Sequence, residues 1–351
     1  MMMIRKFFKN LSFTRSDIGL IALVALYVLI GYIIAFRYEA LGFYNPVMYV
    51  RTGIDFTKVL LMGYLVFWGL WTFYVMIFVR PAKLKDYLWQ DLQRNALNLQ
   101  RYKQAIPVFL AFIVMLSTFT SLKTMIPYVH HFSWDIPLAD LDALLHGGKD
   151  PWRWLHPVLG YPYITQAINV VYNFWLLALY LVLYAQLLRL KDPQTRMQFF
   201  YTMVLCWAIN GSFLAMIFSS GGPCFFDEIT GLDRFQPLMD YLQSVGSEDH
   251  QIWALINQDN LWQEYSEKAH GIGAGISAMP SIHVATALIF MLVGLRSNRF
   301  WKIASILFFI TIMLGSVHLG WHYAIDGYVA ILTTLPLWFF SGWLIKKLSR
   351  I

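Results

Sequence analysis

Eight stretches of this chain are apolar enough and long enough to cross a bilayer, and nothing else in it restricts the fold so strongly. A span needs about 20 mostly apolar residues at about 1.5 Å of rise each. Inside hydrocarbon a helix satisfies every backbone N–H and C=O within its own segment. The runs cover residues 18–36, 59–79, 105–126, 165–188, 199–218, 279–295, 303–319 and 325–345. The expected fold class is therefore all-α: a polytopic membrane protein of about eight transmembrane helices. Composition agrees, with 58% hydrophobic and 13% charged residues against roughly 45–50% and about 25% in soluble domains. The first run follows a basic stretch, residues 1–15, but it is too long for a signal peptide and lacks a small-residue cleavage site, so it reads as a retained helix.

A net charge of +7 would point to nucleic acid in a soluble protein. Here the basic residues fall in short loops beside the apolar runs, which excludes nucleic acid as the partner and points to the bilayer. With the N-terminus inside, most of the Lys and Arg lie on the cytoplasmic side, among them Arg5, Lys6, Lys9, Arg80, Arg189, Arg296 and Arg299. The outer side keeps Asp135, Asp140, Asp142, Asp150, Asp227, Glu228, Asp233 and Asp240. Both termini are then cytoplasmic, in a plasma or inner membrane. All nine histidines, including His250 and His270, fall on the outer side or at outer helix ends.

Two outer segments are too long for simple connections. Residues 127–162 carry apolar residues at helical spacing with tryptophans among them, which predicts short amphipathic helices on the membrane surface. Residues 219–278 are acidic, open with Gly221-Gly222-Pro223 and close with Gly271-Ile272-Gly273-Ala274-Gly275. No strand precedes those last glycines, so they read as a hinge or lid and not as a dinucleotide loop. Cys206 and Cys224 lie too far apart along the chain's path to form a disulfide.

Chemistry concentrates in two short motifs. His322 and Asp326 are four residues apart, which on a helix puts them on one face within hydrogen-bonding reach, the spacing of an oriented histidine base or nucleophile. Pro280-Ser281-Ile282-His283 sets a second histidine two residues after a serine suited to cap the following helix. Read plainly, His283 is an interfacial histidine and the His322/Asp326 pair glues two helices. Against that stands the cost of ionisable groups in a membrane, while the middles of the other runs carry no charges and only polar residues such as Asn169, Asn173 and Asn210. The backbone N–H groups opening the Ser281 helix also offer an anion site.

Pro280-Ser281-Ile282-His283 resembles the second signature of the type 2 phosphatidic acid phosphatase superfamily, and His322-x3-Asp326 resembles the His-x3-Asp of its third. The resemblance covers roughly residues 105–345. It implies a six-helix phosphatase or phosphotransferase core, residues 105–351 with outer loops 127–162 and 219–278, behind a two-helix membrane extension, residues 1–104. It also implies a lipid phosphate or phosphodiester as substrate, no cofactor and no metal. Carried over by motif position, His322 attacks phosphorus, Asp326 orients and stabilises it, and His283 is the general acid toward the lipid alcohol. The first signature, Lys-x6-Arg-Pro, is missing: Arg80-Pro81 is cytoplasmic and without the lysine. Ser316 stands where the third signature has arginine. The pattern is closer to the branch that includes inositol phosphorylceramide synthase, whose Gly-Pro segment Gly221-Gly222-Pro223-Cys224-Phe225-Phe226 resembles. Gly222, Pro223 and Ser281 are then substrate-binding, with Lys123, Arg234, Lys268 and His318 as candidates to replace the lost phosphate binders.

Two rival readings stay open. His318, His322 and Asp326, spaced by fours and joined by His283, have the donor set of an intramembrane zinc hydrolase. Eight helices also suit a transporter, although their middles offer no proton or ion relay.

Overall fold

The structure, a computed structural model, describes residues 13–95, 97, 99–189, 191–246, 251–268 and 273–350. Arg5, Lys6, Lys9, His250, His270 and Gly271 lie outside the described residues. Within them the chain is helical, with no strand.

The first helix, α1 (Arg15–Arg37), is started by a reciprocal cap: Asp17 N–H donates to Thr14 Oγ1 at 3.1 Å and Thr14 N–H to Asp17 Oδ2 at 2.9 Å. It is followed by α2 (Val50–Tyr74, prolonged by a π turn Val75–Val79), α3 (Leu84–Asn95) and α4 (Leu99–Val129). The expected amphipathic pieces of the first outer segment are helices, α5 (Asp135–Leu145) and α6 (Pro151–Leu159). The fourth apolar run is one span broken at Phe174 into α7 (Pro162–Asn173) and α8 (Trp175–Leu187). Helix α9 (Pro193–Ala208) begins where Asp192 accepts Thr195 N–H at 3.0 Å, and passes through a π turn (Ile209–Leu214) into α10 (Ala215–Ile217). The second outer segment folds as α11 (Phe226–Thr230), α12 (Gln236–Val245) and α13 (Trp253–Ser266). Helices α14 (Ile282–Gly294), α15 (Arg299–His318) and α16 (Ala324–Arg350) complete the chain.

Seven helices among the described residues are long and apolar enough to span, which makes the protein an integral membrane protein. The expected sixth span is shortened. Ser281 caps α14 by accepting Val284 N–H at 3.3 Å, and the helix ends at Gly294 after 13 residues, about 20 Å against a hydrocarbon core of about 30 Å. It tolerates this because it packs against α15, α16 and α9 and meets protein on most of its surface. Nine of its residues are buried. Around this centre α1 packs along α4, and α9 along α16.

Candidate active site

Three backbone segments are knitted together at one end of the bundle. Ala278 N–H donates to Ser220 O at 2.9 Å, Cys224 N–H to Gly320 O at 2.8 Å, and Ser281 N–H to the carbonyl of Asp326 at 3.2 Å. Gly222 sits where they meet, at φ +97°, and a Cβ there would lie 2.6 Å from Trp321 O, so only glycine lets the loop approach this closely.

Two buried carboxylates of α5 hold this junction. Asp135 Oδ1 accepts Gly222 N–H at 2.9 Å and the Tyr323 hydroxyl at 2.8 Å, while its Oδ2 accepts Gly221 N–H at 2.9 Å. Burial pushes the Asp135 carboxyl up from its ordinary range, and those donors offset only part of the rise. Asp142 accepts Ala324 N–H at 2.8 Å and Ile325 N–H at 3.1 Å, satisfying two of the free donors that open α16. The residues just before Asp326 are thereby fixed from a helix nearly 190 positions earlier.

His322 and Asp326 do meet, but not across one helical face. Gly320 at φ +74° turns the chain after α15, His322 precedes α16 and Asp326 lies in its first turn. Asp326 Oδ2 accepts Tyr323 N–H at 3.0 Å and lies 3.2 Å from His322 Nδ1. This is cap geometry, with a buried carboxylate as the hub. It leaves Nε2 as the ring nitrogen for the cavity that His322 lines. The His283 ring lies 5.8 Å from that of His322, stacked on Tyr172 at 5.1 Å and against Trp175 at 4.4 Å. Trp175 Nε1–H also donates to His283 O at 3.2 Å, so the imidazole is held on two sides.

Both histidines face a cavity of about 490 Å³ whose wall also carries Lys123, Glu264, Asn257 and Asn260. Lys123 comes from α4 and is reached by the 273–277 strand of chain because Gly275, at φ +93°, has no side chain: a Cβ there would lie 2.8 Å from the Lys123 carbonyl carbon. Of the sequence-predicted set, His283, His322, Asp326, Ser281, Gly222 and Lys123 therefore gather at one place. Pro223 opens the adjoining turn and faces a second cavity beyond Phe225.

Arg234 is not brought there. Its guanidinium is taken by Asp150 at 2.8 Å and Asp140 at 2.6 Å, pinning the α12 approach to α5 and α6. Lys268 is exposed and stands outside the cavity wall. His318 ends α15 with Nε2 2.9 Å from Thr165 Oγ1. Because the chain turns at Gly320, His318, His322 and Asp326 do not share a face. Among the described residues no three His, Cys, Asp or Glu side chains converge as a metal site, so the donor set of the zinc reading does not assemble. Ser316, in the place of the signature arginine, is buried, bonds back to Ile312 O at 2.7 Å and accepts His322 N–H through its carbonyl at 3.0 Å. Cys206 and Cys224 are free thiols.

Residues 136–339 match the family model of the PAP2 superfamily. The chain belongs to the PAP2 superfamily. The matched stretch runs from α5 into α16 and holds His283, His322 and Asp326 together with Asp142, while α1 to α4, and with them Lys123, precede it. Membership in the PAP2 superfamily supports a phosphatase-type activity. No curated protein and no solved structure matches the chain. Asp135, Asp142, Tyr172 and Trp175 were not legible as site residues. The only trace of the first two was a pair of acids seven apart in a predicted amphipathic helix.

Proposed function

We propose that this protein is a lipid phosphatase or phosphotransferase that works through a phosphohistidine on a lipid phosphate or phosphodiester at the extracytoplasmic face. The observation that carries this reading is the pairing of His322 with buried Asp326 at the wall of a cavity shared with His283 and Lys123.

His322 Nε2 attacks phosphorus in line with the ester oxygen, forming the N–P bond as the P–O bond breaks. Its Nδ1–H stays with Asp326, whose charge stabilises the imidazolium. His283 gives its proton to the departing lipid oxygen. Water or an alcohol then attacks the phosphohistidine, His283 takes the attacker's proton, and His322 is released. The Lys123 ammonium and the N–H groups opening α14 offset charge on the phosphate oxygens. With Lys123 and the Gly221-Gly222 loop at the cavity, and Ser316 in place of arginine, the site favours the inositol phosphorylceramide synthase-like branch. Arg80, Arg189, Arg296 and Arg299 lie at the ends of the helices opposite this cavity, so the positive-inside rule turns it outward.

The test is rapid acid-free quenching of purified protein with phosphatidic acid labelled in its phosphate, with phosphate release followed in parallel. An acid-labile, base-stable label on the wild type that is lost in His322→Asn is expected. Turnover without any label, or label persisting in His322→Asn, overturns the mechanism.

A further inference from the structure

Helix α13 stands between two cavities. With Asn257, Asn260 and Glu264 it lines the catalytic one, and with Gln258, Asp259, Trp262 and Gln263 it lines the second, of about 540 Å³. The far wall of the second carries Asp227 and Glu228 of α11 and Gln236 and Gln243 of α12. Among the described residues no Lys, Arg or His lines it, so the wall is rich in acceptors and holds no side-chain cation. Gln236 and Gln263 already give an amide N–H to Asp240 at 2.8 Å and Glu267 at 2.9 Å. Gln258 is the deepest of the set at 3% exposed. Its Nε2–H donates to Leu319 O at 3.0 Å, which fixes the orientation of the amide. Its Oε1 is buried and has no hydrogen-bond partner among the described residues. A buried acceptor without a donor is costly, and here it belongs to the wall of a cavity large enough to bring one.

We propose that this second cavity binds an organic cation whose primary ammonium groups are joined by methylenes. An ammonium has three N–H donors and no acceptor, the complement of Gln258 Oε1 and of the carboxylates of Asp227, Glu228 and Asp259. The three carboxylates are exposed, so they draw the cation in from solution in a salt-dependent way, while buried Gln258 fixes where it rests. Among the described residues no three His, Cys, Asp or Glu side chains converge as a metal site, so the wall does not suit an inorganic divalent ion. It does suit methylenes: Phe225 stacks on Trp262 with ring centroids 5.5 Å apart, and Phe235 and Met239 stand nearby in the same wall. The indole face adds a cation–π contact for an ammonium above it. The site is separate from phosphoryl transfer and does not rest on the lipid-phosphate reading. His283, His322 and Lys123 line the other cavity, and Phe225 is the one described residue common to both walls.

The test uses the full chain in nanodiscs of phosphatidylcholine, whose headgroup has no N–H, and tritiated spermidine in equilibrium dialysis with empty discs subtracted. Saturable binding that weakens as salt is added is expected. Its affinity should fall about threefold in Asp259→Asn, the loss of one exposed charge. In Gln258→Met it should fall about tenfold or more, the loss of a hydrogen bond to a charged group. Thermal unfolding checks that both variants fold, and exposed Asp259 keeps the test decisive if Gln258→Met does not. No saturable binding, or binding that neither substitution weakens, overturns the site. Displacement of spermidine by myo-inositol as readily as by putrescine overturns the ammonium assignment. Phosphatidylethanolamine added to the discs identifies the source of the ammonium: displacement of spermidine assigns the site to a lipid headgroup, and unchanged binding assigns it to a free amine.

Discussion

Helices α4 and α2 are both apolar spans of ordinary length, yet 67% of the apolar window of α4 is buried in protein and only 6% of that of α2. In water such a difference would be intolerable. In a bilayer it costs nothing, because lipid tails receive exposed Leu, Val and Phe as well as a protein core does. What separates the two helices is their small and hydroxylated residues. In α4, Ser117, Thr118, Thr120, Ser121 and Thr124 are all buried, and Ser117 and Ser121 accept Tyr49 N–H and Asn45 N–H at 3.0 Å each, tying down the chain that leads into α2. In α2 the one buried position of the helix is Gly53, seated against Ile113 and Phe109. Apolar content decides that a helix spans; which of its hydroxyls and glycines find partners sets what it touches, since Gly63 and Gly69 of α2 meet nothing.

The same contrast predicts where substitutions hurt. The largest effect belongs to the most buried polar hub: Asp326→Asn keeps an acceptor for Tyr323 N–H but removes the charge opposite His322, and kcat should fall about 10³-fold or more. Steady-state phosphate release, with thermal unfolding as the control for folding, measures this, and a loss under tenfold would show that the carboxylate only caps a helix. Next is His283→Ala, with an expected loss of about 10²-fold. Replacing the lipid alcohol by a nitrophenol, whose oxygen leaves without a proton, should recover most of the loss in the rate of the first step, read as the burst of nitrophenol release. An equal loss on both substrates would remove His283 from the acid role.

How much of this was visible beforehand follows from which forces are local. The spans were legible because hydropathy is a property of single segments, and the His322/Asp326 pair because its partners are four residues apart. The reason for the pairing was not legible: a helix face was expected, whereas Gly320 breaks the helix and the carboxylate caps the next one. The shortness of α14 was hidden because its outer neighbours, Met279 and Pro280, are apolar without being helical. Arg234 looked available because the acids that take it, Asp140 and Asp150, are more than 80 positions away. Asp135 and Asp142 were obscure for the same reason in reverse, since their partners are backbone N–H groups that carry no sequence signal at all.

Within α4 itself the comparison sharpens further. Phe112, 1% exposed and edge-on to Phe200 at 5.9 Å, is packed on every side. Phe112→Ala removes no aqueous transfer energy in a membrane, so only the cavity term remains, about 2 kcal/mol at roughly 24 cal/mol per Å³. Unfolding in mixed micelles would report it, and a cost below about 0.5 kcal/mol, the usual spread for surface changes, would mean the helix face is loosely packed. Toward the outer end of α4, Lys123→Gln should raise KM about tenfold, equivalent to about 1.4 kcal/mol, with kcat changed less. If kcat alone falls, Lys123 acts on the transition state and not on substrate capture.

The smallest effect is expected on α2, and it is the one that most directly tries the contrast between the helices. Phe67 is 62% exposed and, like its neighbours Val66 and Leu70, faces away from the rest of the chain. Its ring has lipid on most sides in the folded protein and would have lipid there in any membrane-inserted unfolded state, so the two states lose the same contacts when it is cut back. Phe67→Ala should therefore change stability by less than about 0.5 kcal/mol, measured in the same micelles as Phe112→Ala. A loss as large as that of Phe112 would mean that the outer face of α2 is covered in the membrane by something other than lipid, and a second copy of this chain, detected as a concentration-dependent stability, would be the first occupant to look for.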